Sequence, residues 1–152
     1  MAEYDVTDEV IINASPDVVY QALMAEYSGK ADWMPNFEVK QRGEGAVDQP
    51  GALLDLTLHG RFDLKFTAKT VKTKKNESWE FEYVEGAFRG EGLWKLEAAG
   101  EDTKVSFRWH CRPGTLLVKI MSPFVNVPKS HSEFMKAGFA SLNEYVRKNA
   151  ES

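Results

Sequence analysis

The segment YDVTDEVIINASPDVVYQALMAEY, residues 4–27, changes its hydrophobic period within a few positions. In its first half Tyr4, Val6, Val10 and Ile12 share one side of an alternating pattern, and polar residues hold most of the other side. Successive side chains of a strand point to opposite faces, so this period of two predicts a strand with one buried face. The fold therefore begins with a half-buried strand.

A helix is predicted directly after this strand. Ser15 can cap its first turn, and Pro16 suits the first helical position because a helix leaves that N–H unpaired in any case. Apolar residues then recur at helical spacing to about Tyr27, and Ser28 and Gly29 end the pattern. The opening unit is thus a strand followed by a helix.

Six further strands are predicted between this helix and residue 112. The alternation is clearest in Leu54, Leu56 and Leu58 and again in Trp79 and Phe81, and short turns separate the runs. Connections of this length join only antiparallel neighbours. One side of each run is apolar and the other mostly charged, so we expect a seven-stranded antiparallel sheet with one face in water.

A long helix is predicted to close the chain, beginning near Pro128. Met135, Phe139, Leu142 and Val146 form its apolar stripe. Residues 116–127 are apolar but interrupted by prolines, which predicts a short helical piece and then a break. The predicted fold class is α+β.

Composition restricts the function classes. The chain has 152 residues, 19 Lys and Arg, 23 Asp and Glu and a formal net charge of −4, which disfavours a nucleic-acid binder. One cysteine cannot form an internal disulfide, and no apolar run reaches the length of a membrane span. We expect one domain over residues 1–152, a cytoplasmic location, no cofactor or metal, and a monomer or homodimer.

The predicted sheet is too wide for the predicted helix to cover. Seven strands at ~4.8 Å spacing span roughly 29 Å, whereas one helix is ~10–12 Å across. The sheet must curl around the helix, helped by Gly90 and Gly92, whose missing side chains leave room on the inner side. We therefore predict an apolar binding cavity lined by Trp33, Leu56, Phe62, Phe66, Trp79, Phe81, Tyr83, Trp94, Phe107, Trp109, Met135 and Phe139.

Several segments in this order resemble one superfamily over nearly the whole chain. They are the strand ending IINASP at 11–16, the helix start VVYQAL at 18–23, the WMP motif at 33–35, the strand GLWKL at 92–96 and the strand TKVSF at 103–107. The sequence resembles the START/Bet v 1-like (SRPBCC) superfamily, and within it the polyketide cyclase/dehydrase-like and coenzyme-Q-binding groups. The resemblance implies a helix-grip fold, in which a curved sheet wraps the C-terminal helix.

Ionisable residues that could act inside such a cavity are few. His131 lies near the start of the last helix, where the helix N-terminus would lower its pKa and keep the ring neutral. Arg89 and Glu91 fall on the outer side of their strand, unless a bulge at the neighbouring glycines turns them inward. These three residues are the candidate catalytic groups.

The function predicted first is binding of a hydrophobic small molecule, and the resemblance implies that this molecule is a lipid, quinone, sterol or polyketide-like compound. The first alternative is an enzyme, a cyclase or dehydratase acting as a lyase or isomerase, which would need Arg89 and Glu91 inside or His131 beside a carboxylate. The second is a protein- or ribosome-associated module using the lysine-rich strand that carries Lys69 and Lys72.

Overall fold

The computed structural model describes residues 3–150 as seven strands and three α-helices. The strands are β1 (Tyr4–Ile12), β2 (Phe37–Arg42), β3 (Leu53–Leu58), β4 (Leu64–Lys74), β5 (Ser78–Gly86), β6 (Phe88–Ala99) and β7 (Asp102–Pro113). The helices are α1 (Pro16–Tyr27), α2 (Leu116–Met121) and α3 (Val127–Ala150), and a 3-10 turn (Ser122–Phe124) follows α2. The predicted element order is confirmed.

The strands form one antiparallel sheet in the order β1-β7-β6-β5-β4-β3-β2. Every neighbouring pair except β1 and β7 is consecutive in the chain, as short turns require. The pairing of β4 with β5 shifts register between Thr67 and Ala68 and again between Thr70 and Lys72. Such irregularities bend a strand and increase its twist, so β4 contributes to the curvature of the sheet.

The last helix makes contacts with strands at both edges of the sheet. Near its start, Phe134 packs on Phe37 of edge strand β2, with ring centroids 6.1 Å apart. Further along, Asn143 accepts a hydrogen bond from the backbone of Asn13 and donates one to the carbonyl of Ile11 in edge strand β1. One helix can reach both edges only if the sheet curls around it, so the helix-grip fold is confirmed.

The centre of the grip is filled by aromatic side chains. Trp79, Phe81 and Trp94 are each at most 1% exposed, and Tyr27 from α1 packs against all three. Offset and edge-on ring pairs of this kind are stable arrangements for aromatic side chains. Most of the centre of the predicted cavity is therefore aromatic core.

The glycines of β6 do not leave open space on the inner face. A Cβ at Gly92 would lie 2.4 Å from the Tyr83 hydroxyl oxygen and 2.9 Å from a ring carbon of Phe107. The volume freed by the missing side chain is thus occupied by two aromatic neighbours. The prediction that these glycines leave room for a ligand was wrong at Gly92, because the side chains of Tyr83 and Phe107 occupy that space.

Phe62 was predicted to face inward, and this was wrong. The strand alternation ends at Leu58 and resumes at Leu64, which pair directly across the turn. Phe62 lies in the connection between them and is 58% exposed. A five-residue turn separates the strands, so the period of two does not extend through it.

Candidate binding cavity

An apolar cavity lies at one end of the grip and opens to solvent; we call it the outer cavity. It has a volume of about 250 Å³. The sheet contributes Leu58, Leu64, Phe88 and Trp109, and α3 contributes Val127, His131 and Phe134. The α2 segment, defined here as residues 116–125, contributes Val118, Met121, Ser122 and Val125, and the polar residues Asn36, His59 and Ser130 complete the wall.

A smaller void, the inner cavity, continues from this site under α3. Its volume is about 40 Å³, and it shares Leu58, Trp109, His131 and Phe134 with the outer cavity. Those four side chains separate the open end of the grip from its packed centre. A molecule entering from solvent would therefore meet His131 and Trp109 at the inner limit of the outer cavity.

The predicted lining residues divide into two groups. Those that line the inner cavity are Leu56, Phe66, Tyr83, Trp94, Phe107, Trp109 and Met135, and of these Trp109 also lines the outer cavity. Trp33, Trp79, Phe81 and Phe139 are buried but line neither cavity. The alternation of apolar residues along the strands correctly predicted which face of the sheet is buried. It did not predict at which end of that face a cavity remains.

Hydrogen bonds indicate structural roles for three of the four tryptophans. The indole N–H of Trp33 donates to the carbonyl of Ala22 at 3.0 Å, and that of Trp79 to the Thr70 hydroxyl at 3.1 Å. The indole N–H of Trp94 donates to the Tyr27 hydroxyl at 3.0 Å. These donors are already used within the fold, so they are not available to orient a ligand.

His131 is the main polar group of the outer cavity. Its ring stacks on Trp109 with centroids 4.2 Å apart and planes 9° from parallel, and its side chain is only 11% exposed. Nδ1 lies 3.6 Å from Oδ2 of Asp8 in β1. A solvated first-turn histidine is therefore excluded, and the carboxylate that the enzyme alternative requires is present.

The ionisation of His131 follows from this burial. Removal from water lowers its pKa to about 4, and the neighbouring Asp8 opposes the shift only in part. The predicted direction of the shift is confirmed, but its main cause is burial in an aromatic wall and not the helix N-terminus. The imidazole is neutral near physiological pH and can both donate and accept hydrogen bonds.

Asp8 was not among the functional residues predicted from the sequence, although its position in β1 marks it as unusual. It lies on the inward-facing side of β1, two positions after Val6 and two before Val10, and it interrupts an otherwise apolar face. A carboxylate at a buried position normally needs a partner. A charge inside a period-two apolar pattern would therefore have marked this residue for attention.

Arg89 and Glu91 lie on the outer face of the sheet and are exposed. Strand β6 keeps a continuous register with β7 through both residues, opposite Arg112 and His110. The alternative in which a bulge turns Arg89 and Glu91 into the cavity is wrong, because the pairing in this stretch shows no shift. Neither residue can act on a molecule in the outer cavity.

The α2 segment, which forms part of the outer cavity wall, also carries exposed apolar side chains. Leu116, Leu117, Ile120 and Phe124 of the α2 segment are between 57% and 87% exposed. Helix α2 buries only Val118. The α2 segment is thus a thin wall with apolar residues both toward the cavity and toward solvent.

Residues 3–150 contain no metal-binding cluster and no membrane-spanning helix. Within that range no three His, Cys, Asp or Glu side chains come together as a metal site would need. In the same range no helix is both long enough and apolar enough to cross a bilayer.

Comparison with known proteins gives one family and many similar folds. The family described as polyketide cyclase / dehydrase and lipid transport matches residues 3–147. No curated protein sequence matches the chain.

Three solved structures illustrate the structural similarity. TTHA0849 from Thermus thermophilus has a TM-score of 0.74 and 20% identity, over 96% of this chain and 99% of the other. The Zhui aromatase/cyclase from a Streptomyces species has a TM-score of 0.71 and 16% identity, over 98% and 96%. Truncated norcoclaurine synthase from Thalictrum flavum has a TM-score of 0.67 and 16% identity, over 95% and 94%.

Proposed function

The chain belongs to the polyketide cyclase / dehydrase and lipid transport family, and on that premise we propose that it binds an apolar small molecule in the outer cavity. The observation that carries the proposal is a solvent-connected space of about 250 Å³ whose walls are almost entirely apolar. Such a concave site with a few polar groups is the usual form of a small-molecule site. The lipid, quinone, sterol or polyketide-like classes remain the candidates.

The size of the cavity restricts the ligand. Sites for drug-sized ligands commonly enclose ~300–1,000 Å³, so the outer cavity suits a compact ring system or one end of a longer molecule. Each methylene group that leaves water for the cavity contributes about 0.8 kcal/mol. Apolar burial thus supplies the affinity, and His131 is the group placed to orient a polar end.

Acid–base catalysis is a second candidate function, and one observation favours it. His131 is neutral, buried in the cavity wall and adjacent to the Asp8 carboxylate. An imidazole oriented by a carboxylate can accept or donate a proton during cyclisation or dehydration. Turnover of a polyketide-like substrate that depends on both side chains would support this enzyme over a binding protein.

Two expectations of the sequence remain predictions. Residues 1–152 are expected to fold as one domain, and the protein is expected to be a monomer or homodimer. The interaction-module alternative is also retained as a prediction; Lys69 and Lys72, on which it depends, are exposed on β4, between β3 and β5 in the sheet.

Blocking the outer cavity is expected to abolish binding. Met121 lines the cavity, so Met121→Trp fills part of its volume, and we expect at least about tenfold weaker binding of the neutral fluorescent probe N-phenyl-1-naphthylamine. Ile120 lies next to it on α2 but is 58% exposed. Ile120→Trp adds the same indole outside the cavity and is expected to change the affinity by less than about twofold.

Fluorescence titration of the two variants measures this difference, and mass spectrometry of compounds that co-purify with the protein identifies natural ligands. Equal probe affinity in wild type and Met121→Trp would place the binding site elsewhere and contradict the proposal. No probe binding to wild type would contradict it as well.

A further inference from the structure

We infer that Asp8 and His131 make the outer cavity select neutral molecules ending in a hydroxyl group over molecules ending in a carboxylate. This inference rests on the proposed binding function and assigns the chemical class of the ligand's polar end. It follows from the placement of two buried polar atoms, from the proton that they share and from the charges near the cavity.

The two side chains face each other, and within residues 3–150 the facing oxygen and nitrogen have no hydrogen-bond partner. Oδ2 of Asp8 and Nδ1 of His131 are both buried and unpaired, and 3.6 Å separates them. Buried polar atoms in native proteins nearly always have a hydrogen-bond partner. A small movement that shortens this distance would satisfy both atoms at once, so each is the natural partner of the other.

The pairing determines which nitrogen carries the imidazole proton. A carboxylate oxygen can only accept a hydrogen bond, so the favourable neutral tautomer of His131 has its proton on Nδ1, directed at Asp8. The opposite nitrogen, Nε2, then has a free lone pair. A hydroxyl group can donate to that lone pair, whereas a carboxylate has no proton to donate.

The charges around the cavity also disfavour a ligand that ends in a carboxylate. The neutral ring of His131 offers an anion no positive charge, and Asp8 behind it repels one. On the opposite wall, His59 lies 3.3 Å from Asp63 and 3.5 Å from Glu38. Among the described residues that line the outer cavity, none is Lys or Arg. A bound carboxylate would lose its water without gaining a Lys or Arg partner in the cavity wall.

Two lysines outside the cavity, Lys119 and Lys129, would attract a carboxylate and so oppose this selection. Both are exposed on elements that contribute to the wall, α2 and α3. Exposed charges are screened by salt and mainly influence the rate of encounter. The buried Asp8–His131 pair is screened much less, so it dominates once the ligand is inside.

Three ligands of nearly the same shape test the inference: 2-naphthol, 2-naphthoate and 2-methylnaphthalene. Each competes with N-phenyl-1-naphthylamine for wild-type protein near neutral pH. We expect 2-naphthol to bind at least about tenfold more tightly than 2-naphthoate and also more tightly than the hydrocarbon. The hydrocarbon comparison matters because any apolar cavity disfavours an ion, whereas only a hydrogen-bond acceptor favours the hydroxyl group.

Two variants isolate the pair. His131→Phe retains a ring against Trp109 but removes Nε2, so 2-naphthol should lose its advantage over 2-methylnaphthalene. Asp8→Asn removes the negative charge and lets an amide N–H donate to Nδ1, which moves the imidazole proton to Nε2. We expect the preference for 2-naphthol over 2-naphthoate to fall at least about fivefold in that variant. Circular dichroism verifies folding, and His131→Phe alone suffices if Asp8→Asn does not fold.

The outcomes separate this inference from the proposed function. If the probe does not bind wild type, or binds Met121→Trp equally well, the binding proposal fails together with the inference; if the probe binds the outer cavity and none of the three ligands displaces it, only the inference is overturned. If all three displace it and both variants retain the wild-type order of affinities, binding stands and the role of Asp8 and His131 is overturned. Loss of the hydroxyl preference in the variants, with unchanged affinity for the hydrocarbon, supports the inference.

Discussion

Trp79→Ala is expected to lower the free energy of unfolding by about 3–5 kcal/mol. The side chain is 0% exposed and packs on Tyr20, Tyr27 and Phe81. Its removal loses apolar burial and leaves a cavity that the surrounding sheet cannot close completely. It also removes the donor that bonds to the Thr70 hydroxyl.

The same substitution should leave ligand affinity unchanged in the folded protein, because Trp79 lines neither cavity. Urea denaturation followed by circular dichroism measures the stability, and probe titration measures the affinity. Phe62→Ala is the control: the sequence placed both aromatic residues on the inner face, but Phe62 is 58% exposed, and we expect a change within about 0.5 kcal/mol. A loss below about 1 kcal/mol for Trp79→Ala would contradict the packed centre described here.

Glu26 is expected to make stability fall as pH rises. The side chain of this α1 residue is 2% exposed, and burial raises its pKa from 4.5 to about 7, although the backbone N–H groups of Met34 and Trp33 oppose the shift. Between these two values the folded state retains a proton that the unfolded state has released. The stabilisation from this group is thus complete below about pH 4.5 and lost as pH rises through about 7. It amounts to about 3 kcal/mol at ~1.4 kcal/mol per pKa unit.

His131 makes stability rise with pH over part of the range in which Glu26 makes it fall. Its folded pKa of about 4 lies below the ordinary value of 6.5, so stability rises with pH between those values. The two contributions largely offset each other from about pH 4.5 to 6.5 in the wild type. A wild-type profile alone therefore understates both groups.

The difference between Glu26→Gln and wild type isolates the carboxyl group. The glutamine oxygen can still accept the Met34 N–H bond, which is 3.0 Å long in the wild type, but it cannot ionise. We expect this variant to gain about 3 kcal/mol relative to wild type between pH 5 and pH 8, measured by urea denaturation at each pH. Glu133→Gln, at a position on α3 away from this site, should show no such gain. A difference that stays constant with pH would mean that Glu26 is ionised throughout.

The order of elements could be predicted from the sequence because it depends on local chemistry. The alternation in β1 and β5 and the helical stripe of α3 follow from how side chains project from each type of backbone. The buried placement of Trp79, Trp94 and Phe107 was predicted on the same basis and is confirmed. Only a connection such as the one that carries Phe62 escapes this pattern, since a turn has no fixed period.

The cavity itself could not be located in this way. Leu64, Val118 and Phe134 line it together, although they come from a strand, a short helix and a long helix that are distant in the chain. Their meeting depends on how strongly the sheet curls and where α2 packs. Neither quantity is encoded in the periodicity of any one segment.

The sequence by itself determined seven alternating strands, a first helix that begins at Pro16 and a C-terminal helix with an apolar stripe, because backbone geometry projects side chains at fixed intervals. The predicted cap was wrong, since the Ser15 hydroxyl makes no capping hydrogen bond and donates to Asp17 instead. Only the tertiary structure decided that the centre of the grip is filled except for a small void, that a larger space remains at one end, and that Asp8 and His131 face each other there. The physical reason is that packing and electrostatics act through space: the curl of the sheet brings β1 against the first turns of α3, and burial then lowers the pKa of His131.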